Sequence, residues 1–217
     1  MSKKCTYCGK EANTKDHVIP KELYPKSIRN QNIQLITVPS CKKCNAGFSD
    51  DEEHFRNVIV LGGNITDSVS ELFRNKVYTS FFKRKSTRHF WQLVDSMKEI
   101  DTPSGKRHII FPIKDKKVER VLKKIFCGLG YKHFKGCVSK ENIAVGVFHY
   151  QIPEFFKKEK WYNCVPEIFA YIYYIFLFDD VLFSCWLIKF FESRYFWGRF
   201  NLTEEMTYDT ERVIDLR

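Results

Sequence analysis

Hydrophobic and polar positions follow two different periods in different parts of the chain. Val69, Leu72, Phe73, Val77 and Phe81 keep a 3-4 spacing, which predicts a helix capped by Thr66 or Asp67. Phe90, Leu93, Val94 and Met97 repeat that spacing from about Ser86. A third stripe, Val118, Val121, Leu122, Ile125, Phe126 and Leu129, predicts another helix. Its other face carries Lys116, Lys117, Arg120, Lys123 and Lys124, read as a solvated basic surface. Thr102-Pro103-Ser104-Gly105 marks a turn between a short strand and His108 to Ile113. Beyond Gly136 the pattern changes. Ile143 to Tyr150, Ile168 to Phe178, Val181 to Phe191 and Tyr195 to Phe200 are aromatic and β-branched runs that predict strands, with a hairpin turn at Asp179-Asp180.

Residues 1–60 show neither period. They are dense in Cys, Pro, Asn and short polar turns, and Gly62-Gly63-Asn64 closes them, as in a small metal-stabilised module. The expected fold class is therefore α+β: a small N-terminal metal module, then helices, then a mainly antiparallel aromatic-rich sheet. Core packing is the expected role of most of Trp161, Tyr171, Tyr173, Tyr174, Phe176, Trp186, Phe190 and Trp197.

With 217 residues, 44% of them hydrophobic, the chain is not of the disordered class. The longest apolar run, Ile168 to Phe178, is too short to span a bilayer and meets two aspartates. The start MSKKCTYCGK has charges but no apolar stretch, so a cytoplasmic location with reduced thiols is expected. The eight cysteines are thus read as metal ligands or core residues before disulfides. Net charge is +10, distributed as +3 over residues 1–60, +11 over 61–160 and −4 over 161–217. That middle segment suits a polyanion such as nucleic acid, or simply a solvated surface.

Cys5-x2-Cys8 and Cys41-x2-Cys44 stand 32 residues apart. Each pair places two thiolates on one tight turn, and two such turns complete a closed, structural four-cysteine zinc site. Cys127, Cys137, Cys164 and Cys185 show no paired spacing and are read as core thiols, in preference to a second metal site with His133. Between the pairs, Asp16 beside His17 joins a hard oxygen ligand to a base that titrates near neutral pH.

The order C-x2-C, Asp16-His17-Val18-Ile19-Pro20-Lys21, Leu35-Ile36-Thr37-Val38-Pro39-Ser40, C-x2-C-Asn45 resembles the zinc-containing HNH endonucleases, a ββα-metal family. The likeness is strongest to small stand-alone bacterial members with C-x2-C-N-x3-S/K-x-D-E-E-x-F-R at this place. It covers Cys5 to about Arg56. The remainder is similar to the second halves of those proteins only through Cys127 to His133 and the closing aromatic strands.

The resemblance implies a general base, His17, and two ligands of one catalytic Mg²⁺ or Mn²⁺, Asp16 and Asn45. Gln34 stands where the family's middle Asn orients the catalytic His, with Asn32 two residues earlier. Lys21 and Arg56 are the implied phosphate contacts, Arg56 alternatively forming a salt bridge with the acidic run. A helix opened by Asn45 places Ser49 and Arg56 along its own side and His54 on the opposite one. The implied organisation is an HNH-type nuclease module over 1–61 and an α+β accessory domain over 62–217, with helices about 66–131 and strands about 142–200. The implied activity is DNA hydrolysis in restriction or antiphage defence. Partners would be DNA, with a homodimer or a recruiting protein open to the second half. A non-catalytic zinc-stabilised binding module and an RNA-directed nuclease are the alternatives.

Overall fold

The computed structural model describes residues 3–31, 33–62, 64–81, 91, 93, 95, 98–101, 107–110, 115–148, 152, 156 and 160–216. The N-terminal part opens with β1 (Thr14–His17), which pairs antiparallel with β2 (Thr37–Ser40); Thr14 lies opposite Ser40 and His17 opposite Thr37. The loop between them carries one helical turn, α1 (Lys26–Arg29). Two helices follow β2: α2 (Lys42–Ala46), capped by the Cys41 sulfur accepting from the Cys44 N–H, and α3 (Ser49–Leu61). The single helix expected from Asn45 onward is thus two. Gly47 and Phe48 break it, so the phase relation between Asn45 and Arg56 does not hold. Asp50, Asp51 and Glu52 fill the first turn of α3, where the helix dipole favours negative charge.

The next stripe forms α4 (Asp67–Leu72), a π-turn over Phe73–Val77, and α5 (Tyr78–Phe81). The Thr66 hydroxyl caps it by accepting from the Val69 N–H at 3.2 Å. Of the second predicted stripe, Phe90, Val94 and Met97 lie outside the described residues; Leu93 is helical and buried. The turn at residues 102–105 also lies outside them, while the strands on either side pair as β3 (Lys98–Asp101) and β4 (Arg107–Ile110).

The third stripe forms α6 (Lys116–Phe134), capped by Asp115, whose carboxylate accepts from the N–H groups of Lys117 and Val118. Val121, Leu122, Ile125, Phe126 and Leu129 lie on its buried side. At Gly128 the helix passes so close to the exit of β1 that a Cβ there would lie 2.7 Å from Val18 Cγ2. Glycine is what permits that approach.

The sheet runs β10-β7-β8-β9-β5, with β6 pairing on the edge of β7 away from β8. Its strands are β5 (Ala144–Val147), β6 (Tyr162–Val165), β7 (Phe169–Phe178), β8 (Val181–Phe190), β9 (Arg194–Asn201) and β10 (Val213–Asp215). Among the described residues of this sheet, only β10 pairs parallel. Asp179 and Asp180 make the predicted β7–β8 turn, with φ of 46° and 59°. This positive-φ pair matches the twist of a two-residue hairpin. One face, carrying Tyr171, Tyr173, Trp186, Phe190 and Phe200, is buried in the core. Trp161, Tyr174, Phe176 and Trp197 are only half-buried. One continuous cluster of apolar side chains extends from Cys5 and Val18 through α6 to Phe200 and Met206.

Candidate functional site

The four cysteines of the two C-x2-C pairs come together. A tight turn carries the first pair: Gly9, at φ 71°, lets its N–H donate to the Cys5 carbonyl at 2.9 Å. All four sulfurs lie within 4.8 Å of one another, and Cys8 and Cys41 are 3.8 Å apart. A tetrahedral metal at about 2.3 Å from each sulfur needs S···S separations of about 3.8 Å. The cluster therefore has a geometry that can hold a metal ion, and it is the sole such group among the described residues. Burial opposes ionisation of Cys5, but the backbone N–H groups of Cys41, Tyr7 and Cys8 bring its thiol down to about 6. Cys44 is pushed the other way, by burial and by its sulfur neighbours. Thiolates this close cannot all ionise without a cation between them.

Asp16 and His17 end β1. The Asp16 side chain points inward and is only 8% exposed; its Oδ2 lies 3.0 Å from Lys124 Nζ of α6. The ammonium also donates to the His17 carbonyl at 3.0 Å and pairs with Glu52 of α3. The Tyr7 phenol is held in its protonated form by burial and by the facing Asp16 charge. Burial pushes the Glu52 carboxyl above its ordinary range, with Lys124 pulling the other way. His17 sits on the opposite side of the strand and is partly exposed. Burial, with Lys21 and Lys124 nearby, holds its imidazole below the usual histidine value despite the charge of Asp16. The ring is thus neutral at pH 7 and able to accept a proton. Its Nδ1 is buried and has no hydrogen-bond partner.

Asn45, in α2, folds back onto β1: its amide donates to Thr14 Oγ1 at 3.3 Å and to the Lys15 carbonyl at 3.1 Å. Asp16, His17 and Asn45 are thereby gathered at one strand. Gln34 is solvent-exposed in the loop before β2 and makes no hydrogen bond to His17 Nδ1, and Asn32 lies outside the described residues. Lys21 is exposed in the turn after β1, close enough to depress His17. Arg56 is turned inward at 3% exposure, ion-paired with Glu22 and Glu53 and bonded to Asn57. Of its two expected roles, the salt bridge is the one it plays. His54 binds Asp115 at 2.5 Å.

One group at this site was not expected. Lys124 is 1% exposed and not part of a solvated face. Arg120 pairs with Asp51 at 2.5 Å and donates to the Gly47 carbonyl at 3.0 Å but stays exposed, as expected. The available signal was the phase of Lys124, which falls on the apolar stripe between Val121 and Gly128, opposite an Asp-Glu-Glu run. Of the other cysteines, Cys127 is a core thiol, Cys164 and Cys185 are half-buried, and Cys137 is exposed. His133 contacts rings, not sulfurs.

No family model, curated protein or solved structure matches this chain. Among the described residues, no helix is long and apolar enough to cross a membrane.

Proposed function

We propose that this chain is a metal-dependent endonuclease of the HNH type that hydrolyses phosphodiester bonds in DNA. One observation carries the reading: Asp16 and His17 end a strand paired with β2, and Asn45, on the next helix, is hydrogen-bonded back onto that strand. Two paired strands followed by a helix, carrying these three residue types, support a ββα-metal reading. The ion of the cysteine cluster is structural zinc, since four thiolates leave no open coordination position. Zinc binding of roughly 10–16 kcal/mol, as in zinc-finger peptides, would hold together a segment with little core of its own.

His17 accepts the proton of the attacking water, and its lowered basicity keeps it in the accepting form at pH 7. Asp16 and Asn45 supply hard oxygens that suit Mg²⁺ or Mn²⁺, and a positive charge already rests against Asp16. When bound, such an ion polarises the phosphate and stabilises the departing 3′ oxygen. Lys15, Lys21, Lys42 and Lys43 are exposed on the same module and attract the phosphate backbone. Arg56 takes no part in that attraction.

A second reading, a non-catalytic nucleic-acid binding module, draws on Gln34 standing in solvent while His17 Nδ1 has no partner. Incubating matched DNA and RNA duplexes with Mn²⁺ or EDTA separates the readings. The nuclease reading expects DNA cut only with Mn²⁺, leaving 3′-hydroxyl ends that a polymerase extends. Salt-sensitive binding without any cutting would select the second reading, and preferential RNA cutting would change the substrate.

A further inference from the structure

Lys124 belongs to α6, more than a hundred residues along the chain from Asp16, yet its ammonium lies at the centre of the Asp16 site. Three oxygens from three places surround it: Asp16 Oδ2 at 3.0 Å, the His17 carbonyl at 3.0 Å, and a Glu52 carboxylate oxygen. The Phe48 ring closes one side, its centroid 5.4 Å from Nζ. Oxygens of this kind around a positive charge make a cation site, and the cation present is a lysine. Asp16 Oδ2 is buried, and the protonated Tyr7 phenol faces the same carboxylate. Lys124 directs its N–H groups to Glu52 and to the His17 carbonyl and meets Asp16 through charge alone.

We infer that Lys124 is the resident cation of this site and that a divalent ion reaches Asp16 only by displacing it. The inference deepens the nuclease reading and rests on its assignment of Asp16 as a cation ligand. Mg²⁺ binds carboxylate oxygen at about 2.0–2.1 Å and will not share one buried oxygen with an ammonium at hydrogen-bond distance. Asp16 has almost no exposed surface from which a second cation could approach. Glu52 provides the alternative seat. Its hydrogen bond can keep the ammonium while the lysine stem swings off Asp16, so the displaced charge stays paired. Without divalent ion Lys124 occupies the site; with it, Asp16 turns from ion-pair partner to ligand.

The test is Mn²⁺ titration, followed by electron paramagnetic resonance, of the zinc-loaded full chain as wild type, Lys124→Met and Lys124→Met/Asp16→Asn. Lys124→Met should bind one Mn²⁺ at least tenfold more tightly than wild type, and Asp16→Asn should abolish that gain. Equal affinity with and without Lys124, or a gain that survives Asp16→Asn, overturns the inference. The wild type gives an independent reading even where Lys124→Met fails to fold. The NMR signal of the Lys124 NH₃⁺ should be protected from exchange without divalent ion and lose that protection as Mg²⁺ is added. A signal unchanged while Mg²⁺ binds overturns the inference as well. Tighter Mn²⁺ binding in a protein that never cuts nucleic acid would leave the exchange standing and remove the nuclease reading.

Discussion

His133 anchors the far end of α6, the helix that brings Lys124 to Asp16. Its ring is boxed by Tyr162, Tyr171, Tyr173 and Trp186, with centroids 5.6, 5.6, 4.6 and 5.7 Å away, and its Nε2 is 2.8 Å from the Tyr171 hydroxyl. Burial first, then the charges of Lys132, Arg212 and Lys135, bring the imidazole down to about 4. In the unfolded chain it titrates near its ordinary value of about 6.5. The unfolded state therefore takes up the proton first, and stability is lost as pH falls from about 6.5 toward 4. At about 1.36 kcal/mol per pH unit this gap corresponds to roughly 3 kcal/mol, or about 2 kcal/mol after allowing for the partly exposed ring. His133→Gln keeps a polar partner for Tyr171 and carries no titrating charge. Urea unfolding of both proteins at pH about 8 and about 4.5 gives two differences in stability. The wild type should lose about 2 kcal/mol more than His133→Gln across that interval. Contributions from the cysteine cluster and other histidines cancel between the two proteins. Parallel losses would show that His133 is protonated as readily when folded as when unfolded, and the aromatic box would not be as drawn.

Gly128→Ala would force α6 away from Val18 and cost about 1–3 kcal/mol, read by urea unfolding. It should also slow DNA cutting, although no reacting group is touched. Arg56→Met should destabilise the fold, since it strips Glu22 and Glu53 of a buried partner, yet leave the salt dependence of DNA binding unchanged. Lys21→Ala should do the reverse, lowering the salt slope without loss of stability. Cys41→Ser should lower zinc content below one ion per chain and abolish the cooperative unfolding of the N-terminal segment, followed by metal analysis and circular dichroism.

The elements legible beforehand are those whose information is local. The α6 stripe from Val118 to Leu129, the Thr66 cap and the Asp179-Asp180 turn each depend on a few consecutive residues, and each forms. The cysteine cluster was legible because C-x2-C spacing encodes its own turn. What spacing could not convey was placement between distant segments. Lys124 looks like one more solvated lysine until Gly128 brings α6 against β1. For Arg56 the sequence offers a phosphate contact or a salt bridge with the acidic run, but not Glu22, which reaches it from the loop after β1. The break at Gly47-Phe48 escaped notice because an unbroken helix accounts for the same residues. Strand β10 is only three residues long and has its meaning from pairing with β7.

The central claim is that His17 activates water for phosphodiester hydrolysis. Supercoiled plasmid incubated with wild type and His17→Ala, each with Mg²⁺, Mn²⁺ or EDTA and with zinc content matched, tests it most directly. Wild type with divalent ion is expected to relax or linearise the plasmid, with no conversion in EDTA and none by zinc-loaded His17→Ala. Equal cutting by His17→Ala, or an intact plasmid under every condition with folded, zinc-loaded wild type, would contradict the claim.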